Sequence, residues 1–327
     1  MRKISIFAAL FTALFFGTTL SAEKSELRIS KQYGLAYLPL VVLEEKGLIA
    51  KHAKAAGLGD IKVEWVTFGG GATANDALLS GSVDIISGGN APFIRLWDKT
   101  KGKVKALAAL DQSPLVLNSA NPKVKTLRDL SDRDKIALPA VKVSIQSLVF
   151  QIAVAKEFGA ENFDKFDHLT VTLKHPDALI ALTSGKSEIT GHLAPEPFLT
   201  IEQQNPNIHE VFNSYDVFGG RHTTNVISTT EEFYKNNPKL SQAIIDALNE
   251  ADTWIAANKK EAAQLYLNAA KSKEPLEILV QILNKPEISY QTKPLPNITV
   301  FSDFLFNTGA IKTKPKDWKE LFFDKLH

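Results

Sequence analysis

Phe68-Gly69-Gly70-Gly71-Ala72-Thr73-Ala74-Asn75-Asp76-Ala77-Leu78-Leu79-Ser80-Gly81-Ser82-Val83-Asp84-Ile85-Ile86-Ser87-Gly88-Gly89-Asn90-Ala91-Pro92-Phe93 is the stretch from which the fold is read. Ahead of it, Ile61 to Thr67 alternates apolar and polar residues, the pattern of a strand. The glycines at 69, 70 and 71 turn the chain, Ala72 to Leu79 has helix-forming composition, and Gly81 stands where a helix stops. Val83 to Ile86 then reads as a short buried strand and Gly88-Gly89 as a second turn, with Pro92 opening another helix. This alternation builds an open α/β sheet. Its strand-end loops bring the free amides of helix N-termini to a crevice where an anionic or polar group docks. Taken alone, the stretch is equally compatible with the ordinary tight turns of an α/β domain.

A second copy favours the crevice. Asp177-Ala-Leu-Ile-Ala-Leu-Thr-Ser-Gly-Lys-Ser-Glu-Ile189 repeats the helix, Ser-Gly and acid-Ile signature, and Gly191-His-Leu-Ala-Pro-Glu-Pro-Phe198 follows it as Ser87 to Phe93 followed the first. Two units this far apart predict two similarly built lobes, each turning a strand-end loop toward one cleft. The repeat is too sparse for a solenoid.

Met1 to Phe16 has a basic start and an apolar run, with Thr19-Leu-Ser-Ala22 behind it, so residues 1–22 read as a secretory signal peptide cleaved after Ala22. The sequence has no cysteine, which excludes disulfides and a lipid-modified N-terminal cysteine. No other apolar run reaches membrane-spanning length. Lys and Arg number 38 against 36 Asp and Glu, and no basic block with interleaved aromatics occurs, so nucleic acid is not an expected partner.

Along the rest of the chain, Leu27 to Ser30 is a first strand leading into a loop with Tyr33 and Tyr37, either of which can wall a pocket or simply pack at the surface. Lys103 to Leu110 and Leu115 to Leu117 read as strands. The turn-rich Asn118 to Pro122, followed by charged Leu127 to Lys135, marks the candidate first crossing between lobes. Ser144 is placed as an N-cap for a helix carrying Ile145, Leu148, Val149 and Ile152, beside Lys142. Ser214 to His222 is the candidate crossing back, and Thr223 to Ser228 a returning strand. From about residue 230 the pattern is helical, with Asn237 capping a long helix that Pro238 opens.

Catalytic motifs are missing. His168 and His175 have no second ligand at zinc spacing, and no nucleophile elbow, phosphate loop or dinucleotide fingerprint is present. No catalytic residue, metal or cofactor is expected. His192 and Glu196 flank Pro195, which argues for a loop rather than a helical acid–base pair.

Tyr37-Leu-Pro-Leu-Val-Val-Leu-Glu-Glu-Lys-Gly-Leu-Ile49, Ala77-Leu-Leu-Ser-Gly-Ser-Val-Asp-Ile85, Thr126-Leu-Arg-Asp-Leu130 ahead of Lys135-Ile-Ala-Leu-Pro139, and Asn213-Ser-Tyr-Asp-Val217 together carry a family resemblance. The chain resembles the periplasmic solute-binding proteins of ABC importers in the nitrate, sulfonate and taurine group, related to binders of the thiamine pyrimidine precursor. The resemblance implies an α/β, two-lobed periplasmic-binding-protein fold of type II, with a ligand cleft between lobes and two crossing segments. Lobe 1 is expected over 23–112 and 215–327, and lobe 2 over 113–214. It further implies a periplasmic monomer without a lipid anchor, whose partners are a small-molecule ligand and an ABC permease and ATPase complex. The ligand-facing positions expected from it and from the loops are Tyr37, Gly70, Gly71, Ala72, Gly89, Asn90, Ala91, Ser144, His192, Glu196 and Arg221. A small organic anion or zwitterion, such as a sulfonate or taurine, leads. A thiamine-pyrimidine-like heterocycle, a sensor-coupled receptor and an exported enzyme on the same fold are the alternatives. Glu196 and Arg221 depart from the family pattern: Glu196 either pairs with Arg221, points to solvent as glutamate usually does, or meets the amine end of a ligand whose anionic end meets Arg221.

Overall fold

The computed structural model describes residues 22–272 and 274–324. The signal-peptide expectation for residues 1–22 falls, but for Ala22, outside them. In chain order the first elements are β1 (Glu26–Lys31), α1 (Leu38–Lys46), α2 (Leu48–Ala55), β2 (Lys62–Thr67), α3 (Gly71–Leu79), β3 (Ile85–Gly89), α4 (Asn90–Lys99) and β4 (Val104–Gln112). The middle of the chain forms β5 (Val116–Ser119), β6 (Ile136–Leu138), α5 (Ile145–Phe158), β7 (Thr170–Thr172), α6 (His175–Ser184), β8 (Gly191–Ala194), α7 (Phe198–Gln203), β9 (His209–Asn213) and α8 (Ser214–Phe218). Then follow β10 (Asn225–Thr230), α9 (Glu231–Asn236), α10 (Pro238–Ala257), α11 (Lys259–Ala270), α12 (Leu276–Asn284), β11 (Ser289–Tyr290) and α13 (Thr299–Asn307).

These elements build two sheets. One has six strands in the order β11-β4-β10-β3-β1-β2, the other five in the order β7-β6-β8-β5-β9. In the first, β1 runs parallel to β2 and β3, while β10 lies antiparallel between β3 and β4 because the chain enters it from the other lobe. The buried apolar run of β4, Ala106 to Leu110, suits a strand covered on both faces. The long C-terminal helices cover one of those faces: Leu240, Ile244 and Leu248 of α10 join Leu40, Val42 and Leu43 of α1 in the largest apolar cluster. A second cluster joins Phe93 and Trp97 of α4 to Ile145, Leu148 and Val149 of α5 and Phe301 and Leu305 of α13, so the lobes share apolar packing beside the cleft.

Several local expectations shift. β3 continues through Gly88 and Gly89, which pair with Val226 and Asn225 of β10 rather than forming a turn. The chain leaves the six-stranded sheet at Gln112 and enters the five-stranded one at Val116, ahead of the turn-rich segment that marked the crossing. Asn118 sits inside β5 because its side chain is wholly buried and bonded, its Nδ2 donating to Glu202 at 2.8 Å and to the Leu199 carbonyl at 3.2 Å. Asn237 does not cap α10. Its Oδ1 accepts the Lys24 amide, and Glu23 takes the capping role, accepting the Lys239 and Leu240 amides at 3.0 and 2.8 Å. The short β11 adds a strand after residue 230.

The two crossings lie side by side. Ser214 N donates to the Leu115 carbonyl at 2.8 Å, Leu115 N donates to Ser214 Oγ at 2.9 Å, and Thr224 Oγ1 donates to the Ser113 carbonyl at 2.8 Å.

Candidate functional site

The carboxyl ends of both sheets face each other across a narrow cavity. Its walls carry Gln32, Tyr33 and Tyr37 from beyond β1, Gly69 to Gly71, Gly89 and Pro92 from lobe 1, and Pro139, Ser144, Gln146, His175 and Pro195 from lobe 2. Ser113, Leu115, Thr224 and Asn225 of the crossings form its floor. The cavity volume is ≈ 30 Å³, about the share of a single water molecule. A wider groove, ≈ 780 Å³, lies at the amino ends of β1 and β3. Its Lys24 and Arg28 already meet Asp84, at 2.5 and 3.4 Å. Strand carboxyl ends are where open α/β sheets bind ligands, so the narrow cavity is the candidate site.

Glycine lets the lobes approach this closely. A Cβ on Gly89 would lie 2.5 Å from Ile145 Cγ2 of the opposite lobe, and one on Gly70 would lie 3.4 Å from Pro139. Four helices begin at the cavity: Gly71 opens α3, Gly89 precedes α4, Ser144 caps α5 and His175 opens α6. Their unsatisfied N–H groups and dipoles make the space favourable to negative charge. Ser144 Oγ accepts the Ser147 amide at 3.2 Å, so it caps and lines at once.

Tyr37 is buried, and its hydroxyl donates to Asn225 Oδ1 at 2.9 Å. Asn225 Nδ2 and N in turn donate to Asp111 Oδ1 at 2.9 and 3.0 Å, and Ser113 Oγ donates to the other carboxylate oxygen. Burial pushes Asp111 up to about 6 despite these donors, and burial, then the Asp111 charge, raises Tyr37. Asp111 therefore ties both crossings beneath the cavity.

The structure brings Tyr37, Gly70, Gly71, Gly89 and Ser144 together around the cavity. Ala72, Asn90, Ala91, His192, Glu196 and Arg221 do not line it. Ala72 turns toward an outer groove with Lys174 and Asp177, and Ala91 packs in the interlobe apolar cluster. Asn90 is wholly buried and donates to the Thr223 carbonyl, stitching α4 to the second crossing. His192 lies one layer back, 2.8 Å from His175. Arg221 is exposed, and its carbonyl accepts from Asn297 Nδ2. Glu196 is 2% exposed but bonds Lys285 Nζ at 2.6 Å and Thr200 Oγ1 at 2.8 Å, so it meets a cation of its own protein, from the end of α12. The bifunctional use of Glu196 and Arg221 by one ligand is therefore corrected.

Gln32, Gln146, His175 and Asn225 are cavity residues that sequence reasoning did not assign. His175 opens α6 directly before Pro176, so the strand-end rule that selected Ser144 applies to it as well. Nothing in the sequence signals Lys285.

The NMT1-like family profile matches residues 21–268. No curated protein matches the sequence. Among solved structures, the alkanesulfonate-binding protein SsuA from Xanthomonas axonopodis pv. citri, bound to MOPS, is 17% identical with a TM-score of 0.69, over 90% of this chain and 96% of that one. The periplasmic aliphatic sulphonate-binding protein SsuA from Escherichia coli is 17% identical with a TM-score of 0.68, over 93% and 99%. The periplasmic nitrate-binding protein NrtA from Synechocystis PCC 6803 is 16% identical with a TM-score of 0.64, over 87% and 80%. The likeness is one of fold: the chain has the two-lobed α/β architecture of periplasmic binding proteins, as the sequence resemblance implied.

Proposed function

The chain belongs to the NMT1-like family, and on that premise we propose that it is the extracytoplasmic solute-binding protein of an ABC importer. It captures a small organic anion or zwitterion of the sulfonate or taurine kind between its lobes and presents it to a permease and ATPase complex. It acts as a periplasmic monomer and performs no catalysis. The observation that carries this reading is the cavity at the strand carboxyl ends, walled by both lobes and by the first residues of α3, α4, α5 and α6. Tyr37, Gly70, Gly71, Gly89 and Ser144 are its contacts, joined by Gln146, His175 and Asn225. We further place the lobe boundaries at the two crossings, so that 113–214 moves against the rest.

One feature favours a second ligand class. Among the described residues, no Lys, Arg, Asp or Glu lines the cavity, and its polar groups are amides, hydroxyls and an imidazole beside Pro92, Pro139 and Pro195. Such a wall suits an uncharged, flat, hydrogen-bonding heterocycle such as an aminopyrimidine. A thermal-shift screen with taurine, alkanesulfonates, nitrate and aminopyrimidines separates the two. A ligand at 100 times its Kd adds roughly 2.7 kcal/mol, which is readily seen. Stabilisation by sulfonates alone supports the first class and by aminopyrimidines alone the second. Turnover of a stabilising compound would defeat the binding-protein reading.

A further inference from the structure

Behind the cavity wall formed by Gln146 and His175 runs a line of buried side chains ending on a carboxylate. Gln146 Nε2 lies 3.1 Å from His175 Nε2, His175 Nδ1 lies 2.8 Å from His192 Nε2, and His192 Nδ1 bonds Glu202. His192 and Glu202 are 0% exposed, and Phe198 stacks on the His175 ring at 5.6 Å, which keeps water from that face. The far end is fixed. Asn118 Nδ2 donates to the second Glu202 oxygen and to the Leu199 carbonyl, while Asn118 Oδ1 accepts from Gln203 at 3.0 Å.

The direction of every bond follows from that anchor. An ionised Glu202 only accepts, so His192 Nδ1 carries the hydrogen. A neutral His192 then offers the Nε2 lone pair, His175 Nδ1–H donates to it, and His175 Nε2 takes an N–H from the Gln146 amide. The amide oxygen of Gln146 is the end left for the cavity. One added proton reverses the inner half: His192 donates through both nitrogens, His175 accepts at Nδ1 and donates from Nε2. The Gln146 amide must then turn its oxygen inward and its NH2 to the cavity.

We propose that Glu202, acting through His192 and His175, is a positioning residue that decides which end of the Gln146 amide faces the cavity, an acceptor while the histidines are neutral and a donor once they share one proton. The proposal rests on the reading of this cavity as the ligand site. The other groups around the pair are Lys174 and Asp177 in the exposed first turn of α6, Ser144 and Ser147 at the start of α5, and Tyr33 and Tyr37 across the cavity with Asp111 behind. Burial, then the neighbouring His192, holds His175 well below the ordinary histidine range, so His175 itself is neutral in the free protein at neutral pH, as the acceptor state requires. An anionic ligand draws the proton in; a ligand that presents an N–H or O–H holds the neutral form.

Nitrogen-15 NMR of the imidazoles in the whole, ligand-free chain at pH 7 tests this. Both His175 and His192 should be neutral Nδ1–H tautomers, with pyridine-type Nε2 resonances, the reverse of the Nε2–H form that free histidine side chains favour. In Glu202→Gln the Asn118 amide, held by Leu199 and Gln203, still donates to residue 202, so the new amide oxygen stays with Asn118 and its NH2 faces His192 Nδ1; both histidine patterns should change. Glu202→Asp, which keeps the anion, should retain the Nδ1–H pattern. An Nε2–H tautomer at either histidine in the wild type, or His175 resonances indifferent to Glu202→Gln, overturns the proposal. The wild-type spectrum decides even if the glutamine variant does not fold. Because no ligand is added, a failed ligand screen alongside the expected tautomers would count against the binding reading and leave the relay standing.

Discussion

Gly88 and Gly89 are neighbours in β3, yet their missing side chains serve different ends. A Cβ on Gly88 would meet Gln32 Nε2 at 2.9 Å, the movable tip of a long side chain, whereas one on Gly89 would meet Ile145 Cγ2 and Cβ at 2.5 and 2.6 Å. Gly88→Ala should therefore displace only the Gln32 amide, at the cost of its bond to the Ser87 carbonyl, and weaken binding less than Gly89→Ala. Gly89→Ala wedges the lobes apart and should weaken binding by about tenfold or more, since overpacking costs about 1–3 kcal/mol. Calorimetry with the ligand found by the screen checks both; equal losses would mean that Gly89 is not a closure contact. A second residue carries a pH dependence. Asp252 of α10 is half-buried, with its Oδ1 buried and unpartnered, and this burial pushes its carboxyl up from the usual 3.8 to about 8. The folded state thus keeps a proton that the unfolded chain releases above 3.8, so stability is present at low pH and lost as pH rises toward 8, by about 1.4 kcal/mol per unit. Asp252→Asn removes this titration. Its urea midpoint should gain on wild type steadily from pH 5 to 8, and a constant difference would show an ordinary carboxyl. At this scale the sequence was legible where a local rule applied, as at Ser144 and the glycines. It was silent on partners distant in the chain: Lys285 lies 89 positions from Glu196, and His192, 17 positions from His175, is its bonded neighbour although the strand-end rule reaches His175 itself.

Elements were easier to read than their joints. The strand, turn and helix alternation of residues 61–93 and its echo at 177–198 are set by neighbours in the chain, and β2, α3, α4, α6 and α7 all form there. The turn-rich segment at 118–122 lies inside and beyond β5 rather than between the sheets, because turn-forming composition and strand pairing compete. Asn118 is a turn residue by preference, but β8 and β9 flank it on both sides and Glu202 accepts from its amide. The cap of α10 was misassigned for a similar reason. Asn237 stands in the right place, yet Glu23 reaches the first free amides instead, and its negative charge also suits the positive end of a 20-residue helix. Glu23→Ala should lower stability by about 1 kcal/mol, the usual loss on removing a helix cap, while Asn237→Ala should act mainly through its bonds to Lys24 and Phe233. Urea denaturation of the two variants separates them. If Glu23→Ala is neutral, the helix end is served by solvent.

Across the whole molecule, the lobes are held together on two flanks of the cavity. On one, Leu35 N donates to the Glu196 carbonyl at 2.8 Å while Lys285 Nζ holds the Glu196 carboxylate at 2.6 Å. On the other, Arg95 Nη2 donates to the Lys142 carbonyl at 3.0 Å. Each tie joins a residue of the β5–β9 lobe to one outside it, so each exists only when the lobes are together. The chain passes between the sheets over a few residues at 113–115 and again beyond 213, the short connections at which a hinge would act. If the lobes part as proposed, Glu196 regains water, and its pairing with Lys285 then contributes to closure rather than to the stability of either lobe. Lys285 is 31% exposed and Glu196 2%, which puts the pair between a surface ion pair and a buried one, of order 2 kcal/mol. Lys285→Met should accordingly shift the population toward the open form. Ligand dissociation should quicken by about tenfold or more, and the radius of gyration of the free protein should rise. The thermal midpoint should change little, because neither lobe loses an internal contact. Glu196→Gln in the Lys285→Met background removes the uncompensated charge and should recover part of the closed population. Small-angle scattering through a ligand titration, with stopped-flow release, reads both quantities. If the variant and wild type scatter alike when free and release ligand at one rate, the pair is structural and closure is driven by the ligand and the apolar interface alone.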